Sequence, residues 1–194
     1  MIQELKEVET ERLKALKRYE VLDTPPDGSF DRITALASKM FNMPIALISL
    51  VDEDRIWFKS HYGLEINQIN RDEGLCSSAI MSNEGYLVED AIEDPRTLAN
   101  PLVAGEFGLR FYAAAPLITK DNHKLGTFCV IDKSQRFLNK QQMDMLKDLA
   151  QIVMDEMELR LASRNAIKKS NERINALELE NQSLKQKLIN NRKN

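Results

Sequence analysis

The sequence predicts an α+β fold. A central antiparallel β-sheet carries the terminal helices on one face and a loop-rich insert on the other, and a C-terminal coiled-coil helix follows. Three observations predict it. Ile45–Val51 with Ile56–Tyr62, and Arg110–Ile118 with Lys124–Asp132, are two pairs of β-branched and aromatic runs, each joined by a short polar turn. Both ends of the chain carry apolar residues at helical spacing. Between the hairpins, residues 64–108 are broken by Gly74, Gly85, Pro95, Pro101, Gly105 and Gly108.

The elements follow in order. Residues 1–22 read as a charged helix with Leu5, Leu13, Leu16 and Tyr19 on its buried side. Thr24-Pro25-Pro26-Asp27-Gly28 stops it, because two prolines followed by Asp-Gly do not continue a helix. A second helix starts near Asp27 or Ser29 and buries Phe30, Ile33, Ala37, Met40 and Phe41. Within the insert the sequence predicts short helices at Cys76–Met81 and Pro101–Ala104 and a strand at Tyr86–Val88. Asn139 and Gln142 have capping-box spacing, and no proline or glycine occurs from there to Asn190, so one long helix closes the chain. The expected organisation is a helix over 1–22, a domain over 23–160 and a coiled-coil helix over 161–194.

Composition narrows the function. A net charge of −3 offers no general attraction to nucleic acid or to an anionic membrane. No apolar run approaches the roughly 20 residues of a membrane span. Met1-Ile2-Gln3-Glu4 does not read as a secretory signal, so a cytoplasmic protein with reduced thiols is expected. Cys76, Cys129, His61 and His123 show no zinc-ligand spacing, and no metal is expected.

Five words occur in order: Glu11-Arg12-Leu13…Leu22-Asp23-Thr24-Pro25-Pro26; Asp52…Arg55…Trp57-Phe58-Lys59-Ser60…Gly63-Leu64; Asp90-Ala91…Asp94-Pro95-Arg96…Asn100-Pro101-Leu102-Val103; Arg110-Phe111-Tyr112-Ala113…Pro116-Leu117; and Leu125-Gly126-Thr127-Phe128-Cys129-Val130-Ile131-Asp132. Together, from about Thr10 to Arg160, they resemble the GAF domain family as it occurs ahead of bacterial sensor kinases and diguanylate cyclases. The resemblance implies a non-catalytic sensor with a small-molecule pocket between sheet and insert. Ser78 stands where many relatives carry histidine, and Ser77 and Val130 stand where bilin-binding relatives have the histidine of a Cys-His pair. No covalent chromophore is therefore expected. The Asn-Lys-Phe-Asp-Glu signature of cyclic-nucleotide-binding relatives is absent as well.

The candidate pocket residues are Trp57, Cys76, Asp90, Arg96, Asn100, Arg110 and Tyr112. Each has a plainer structural reading. Trp57 can anchor the core; Asp90, Arg96 and Asn100 can hold the insert in shape, as Asp94 beside Pro95 is expected to do. Arg110 shares a strand face with Tyr112, and pairs either with a ligand anion or with an insert aspartate such as Asp90. Cys76, after Gly74-Leu75, resembles a cysteine of free methionine sulfoxide reductases, which share the GAF fold. That gives a thiol-dependent enzyme as the rival reading. Cys129, inside a predicted strand, reads as an inert buried thiol, so catalysis is not expected.

The long helix has a heptad seam. Ile167, Ile174, Asn181 and Leu188 fall at a, and Leu177 and Leu184 at d. Ile at a, Leu at d and one Asn at a favour a parallel two-stranded coil. Arg173 faces Glu178 and Glu180 faces Lys185 across such a dimer. From Glu156 to Ser170 the seam is mostly polar. The expected protein is a parallel homodimer that senses a small molecule and relays to an output domain beyond the chain or on another protein. A bare dimerisation scaffold with a filled pocket is the third reading.

Overall fold

In a computed structural model, which describes residues 2–191, the chain forms α1 (Ile2–Arg18), α2 (Gly28–Phe41), β1 (Ile45–Val51), β2 (Arg55–Tyr62), β3 (Gln68–Asn70), a 3-10 turn (Arg71–Glu73), α3 (Cys76–Ala79), β4 (Tyr86–Val88), α4 (Pro101–Ala104), β5 (Phe111–Ile118), β6 (Lys124–Asp132) and α5 (Lys140–Asn191). The six strands form one sheet in the order β3-β2-β1-β6-β5-β4. Every neighbouring pair is antiparallel. The α+β class and the antiparallel sheet are as the sequence predicts.

Period-two alternation divides the sheet. Ile45, Leu47 and Ser49 of β1 stand opposite Ile131, Cys129 and Thr127 of β6, which stand opposite Tyr112, Ala114 and Pro116 of β5. These rows face the insert, and most of them join its apolar core with Leu75, Cys76, Ala79, Val88 and Leu109. The intervening rows, such as Ile48, Phe128 and Ala115, face the helices. Buried on both faces, β1 is apolar at every position but Ser49.

Local chemistry sets the helix ends. The Asp27 carboxylate accepts from the Ser29 amide at 3.0 Å, and Asn42 closes α2 in the left-handed conformation with φ 50°. Asn139 and Gln142 exchange side-chain-to-amide bonds of 2.9 Å at the start of α5.

Two expected core positions are exposed. Met40 lies on the outer side of α2, because the row against the sheet is Phe30, Thr34, Ala37, Ser38 and Phe41. Thr34 and Ser38 are tolerated inside since Thr34 bonds Ser60 at 2.9 Å and Ser38 donates to the Met43 carbonyl at 2.6 Å. Leu5 lies in the early turns of α1, ahead of the buried residues Arg12, Ala15, Leu16 and Tyr19. Glu9 pins that helix, accepting from Arg12 and from Arg71 at 2.7 Å each.

The chain forms two compact units, one ending at Glu156 and one starting at Met157. α1 belongs to the first, and the division falls inside α5. No helix among the described residues is long and apolar enough to cross a membrane.

Candidate functional site

The insert covers the β1–β6–β5 face, and a cavity of about 50 Å³ remains beneath it. Leu47, Phe58 and Ile131 from the sheet and Leu75, Leu102 and Phe107 from the insert contribute to its walls, together with Cys76 and Tyr112. No charged side chain lines it. A buried water needs about 10–15 Å³ by the same measure, so the space suits one apolar molecule of a few heavy atoms. Gly74 also forms part of the wall: a Cβ there would come 2.1 Å from Ile56 Cδ1. Asn100 draws the two halves of the insert together. Its side-chain Oδ1 accepts from the Leu102 amide and caps α4, and its Nδ2 donates to the Glu73 carbonyl, both at 2.9 Å.

Beside the cavity lies a buried polar cluster. The Ser49 and Tyr112 hydroxyls each donate to Cys76 Sγ at 3.2 Å. Ser49 Oγ also meets Thr127 Oγ1 at 2.8 Å. Cys129 lies between Thr127, which pairs with Ser49, and Ile131, which pairs with Tyr112, on the same face of β6, and so stands next to Cys76; both thiols are free and buried. Each hydroxyl has one proton, so Thr127 donating to Ser49 leaves the Ser49 proton for sulfur. Cys129, Ser49 and Tyr112 thereby converge on Cys76. These neighbours hold its thiol below the ordinary range, Cys129 first, although burial works the other way. Cys129 is pushed up by the adjacent Cys76 and by burial. Burial and the adjacent sulfurs raise the Tyr112 phenol.

Of the seven candidate pocket residues, the structure brings Cys76 and Tyr112 to this cavity. Trp57 lies on the helix side of the sheet, with Lys59 Nζ 5.8 Å from its ring centre, beside a polar cleft of about 280 Å³ that Asp31, Lys59 and His61 help to line. The register shift between Ile48 and Ser49 leaves Lys59 unpaired on β2, so Ser60 reaches the helix side too. Asp90 and Arg110 pair with each other. Arg96 pairs with Asp94 and stacks on Tyr86, its guanidinium carbon 4.8 Å from the ring centre. Asn100 holds backbone.

The sequence separates Cys76 from Cys129; the fold puts them together, and Cys129 is not an isolated thiol. Ser49 and Thr127 were missed also. Their one legible signal is polarity at inward positions of otherwise apolar strands.

The GAF domain family profile matches residues 25–157. The chain belongs to the GAF domain family. Over 135 residues it is 42% identical to "Cyclic di-GMP phosphodiesterase PA2567" of Pseudomonas aeruginosa, the match covering 69% of this chain and 23% of that protein. The chain thus spans about a quarter of that relative's length. Among solved structures, it is similar to the GAF domain of the Acinetobacter phosphoenolpyruvate-protein phosphotransferase, with TM-score 0.57, 17% identity and coverage of 82% of this chain and 95% of that one. It is also similar to a free methionine-R-sulfoxide reductase from Neisseria meningitidis solved with its substrate, with TM-score 0.57, 20% identity and coverage of 77% and 87%. Likeness at these identities concerns the fold alone.

In α5, Leu146, Leu149 and Val153 are buried in the domain, whereas Ile167, Ile174, Leu177, Asn181 and Leu184 are exposed on the single chain. The side chain of Leu188 lies outside the described residues.

Proposed function

We propose that this GAF domain is a non-catalytic, cytoplasmic sensor module. It binds a small apolar molecule under the insert and relays occupancy through a parallel dimeric coiled coil to an output domain beyond the chain or on another protein. The cavity between insert and sheet carries this reading. A ligand that fits one arrangement of the insert better than another shifts their populations by that difference in affinity. Exposed Ile167, Ile174, Leu177 and Leu184, with Asn181 among them, support the dimer. The named activity of the Pseudomonas relative makes cyclic di-GMP turnover one fitting class of output. Neither a nucleic-acid nor a membrane partner belongs to this reading.

The enzyme reading is disfavoured by the cavity's chemistry. An amino-acid sulfoxide carries an ammonium and a carboxylate, and these apolar walls offer neither a counter-charge. The cavity's small volume favours a second reading, a dimerisation scaffold with a filled pocket. Native mass spectrometry of the purified dimer, with thermal shift against a panel of small apolar molecules, separates the two. A retained ligand or a saturable rise in Tm supports the sensor. Leu102→Trp, which fills the cavity, should abolish that rise. If no small molecule shifts Tm and wild type and variant behave alike, the scaffold reading stands instead.

A further inference from the structure

We infer that Cys76 and Cys129 form a redox-modification site, a buried dithiol that small hydroperoxides convert to an intramolecular disulfide. Three features of the fold support this. Cys76 Sγ meets both Ser49 and Tyr112, whose partners on β6, Thr127 and Ile131, flank Cys129 on the same face, so a thiol of the insert is held over a thiol of the central strand β6. Cys76 lines the cavity, so an oxidant little larger than water reaches it, whereas Cys129 is absent from that lining. Ser49 and Tyr112 aim hydroxyl protons at Cys76 Sγ, which stabilises negative charge on the sulfur that must attack.

The chemistry balances with hydrogen peroxide as the oxidant. Cys76 sulfur attacks one peroxide oxygen; an S–O bond forms, the O–O bond breaks, and the departing hydroxide takes the thiol proton as water. Cys129 sulfur then attacks the sulfenic sulfur; an S–S bond forms, the S–O bond breaks, and hydroxide leaves with the Cys129 proton as a second water. Two thiols lose two electrons in total, and one peroxide gains them. A dithiol reductant reverses the reaction by exchange. The step is stoichiometric and needs no turnover; a ligand seated in the cavity would cover Cys76 and slow it.

The disulfide would clip α3 of the insert to β6 and draw Cys76 away from Ser49 and Tyr112. Both Cys76 and Tyr112 form the cavity wall, so oxidation would reshape the pocket from inside.

The test treats the full-length folded protein with hydrogen peroxide and quenches it. Thiols are then counted after unfolding, and the products are mapped as non-reduced peptides. The expected result is loss of both free thiols, one peptide pair linking Cys76 to Cys129 within a single chain, and full reversal by dithiothreitol. Tyr112→Phe, which removes a donor to Cys76, should slow the reaction several-fold. Cys129→Ala should stop it at a Cys76 sulfenic acid that dimedone traps. Two thiols still free after an excess of peroxide, a link between chains, or Cys76 taken to sulfinic acid without a link would each overturn the inference. The wild-type measurement decides the matter even where a variant fails to fold.

Discussion

Arg110 grips Asp90 at two points, Nε to Oδ1 at 2.7 Å and Nη2 to Oδ2 at 2.6 Å. Beside this contact the Ala91 amide donates to the Arg110 carbonyl at 2.6 Å. The pair therefore fastens the insert to the residue that precedes β5. A planar guanidinium matched to a carboxylate fixes orientation as well as distance. Asp90→Asn keeps the shape and loses the charge, so the fold should persist while the insert loosens. The Ala91 amide should exchange with solvent several-fold faster in the variant, with amides of β1 unchanged. Equal protection at Ala91 would show that the pair does not restrain the insert.

Glu9 links α1 to the sheet edge through Arg12 and Arg71. Burial alone would raise its carboxyl, but hydrogen bonds from Arg12 and Arg71 overcome that and lower it to about 2. A depressed carboxylate stabilises the fold above its unfolded value, about 4.3, and that contribution is lost as pH falls through the folded value. The contribution of Glu9 to the docking of α1 should therefore be complete at pH 5 and be lost progressively between about 4 and 2. NMR titration of the Glu9 carboxyl should give a midpoint near 2, moving up in Arg71→Ala. A wild-type midpoint at or above 4.3 would contradict the linkage.

Gly126 has no room for a side chain. A Cβ there would lie 1.9 Å from the Ser49 carbonyl oxygen and 2.8 Å from Leu50 Cα, both backbone atoms of β1. Since backbone cannot rotate aside, Gly126→Ala should cost about 3 kcal/mol or more, at the upper end for overpacking. Gly28→Ala is the control: its nearest neighbour would be Arg32 Nη1 at 3.8 Å, and its stability should change little. Urea denaturation of both variants checks the contrast. Similar midpoints for the two would refute the steric account.

That glycine shows what the sequence made legible. The Leu125-Gly126-Thr127-Phe128 word carried the family resemblance, and the close strand approach supplies its physical reason. β1, β4, α4 and β6 follow local signals, namely apolar runs, Pro at a helix start and turn residues, and the structure has them where expected. β3 was missed because Gln68-Ile69-Asn70 has no apolar alternation, and it exists through pairing with Arg55, Ile56 and Trp57. For the site, Cys76 and Tyr112 were legible as residues, but their meeting with Cys129 and Ser49 was not. Contacts between strands distant in sequence depend on register, and a single bulge in β2 also altered which side Ser60 faces. The charged candidates follow their plainer reading. Asp90, Arg96 and Arg110 find partners among themselves and Asp94, so they hold the insert rather than line the cavity.

Asn181 should set the orientation of the coil at some expense of stability. At the a position of the proposed parallel, in-register dimer it would be buried and would pair only with its symmetry mate. Asn181→Leu should raise the Tm of the assembly while admitting other oligomers or registers. Light scattering and thermal melts of both forms measure this. A wild-type monomer at tens of micromolar, roughly where a complex of ~1 μM Kd would be formed, would count decisively against the dimer.

The remaining prediction concerns relay. Leu146, Leu149 and Val153 at the start of the heptad pattern are already buried in the domain, so they cannot also zip to a partner. The distal seam has Ile and Leu, which favour stable pairing. Between them, Glu156, Arg160, Ser163 and Ser170 occupy a and d positions where apolar residues would fasten two helices together. A fully apolar seam would hold one arrangement too firmly for a ligand of a few heavy atoms to alter. A relay element instead needs two arrangements separated by only a few kcal/mol. The polar stretch meets that requirement, which makes it the proposed switch. Replacing all four residues with Ile at a and Leu at d should raise the Tm of the dimer and fix one arrangement. Joined to its native output domain, that variant should be constant in activity, on or off, with or without the ligand or oxidant that alters the wild type. A variant that still responds as the wild type does would place the switch elsewhere. Substitution of four exposed positions on the opposite side of the same stretch controls for a general change in helix stability, and should leave the response intact.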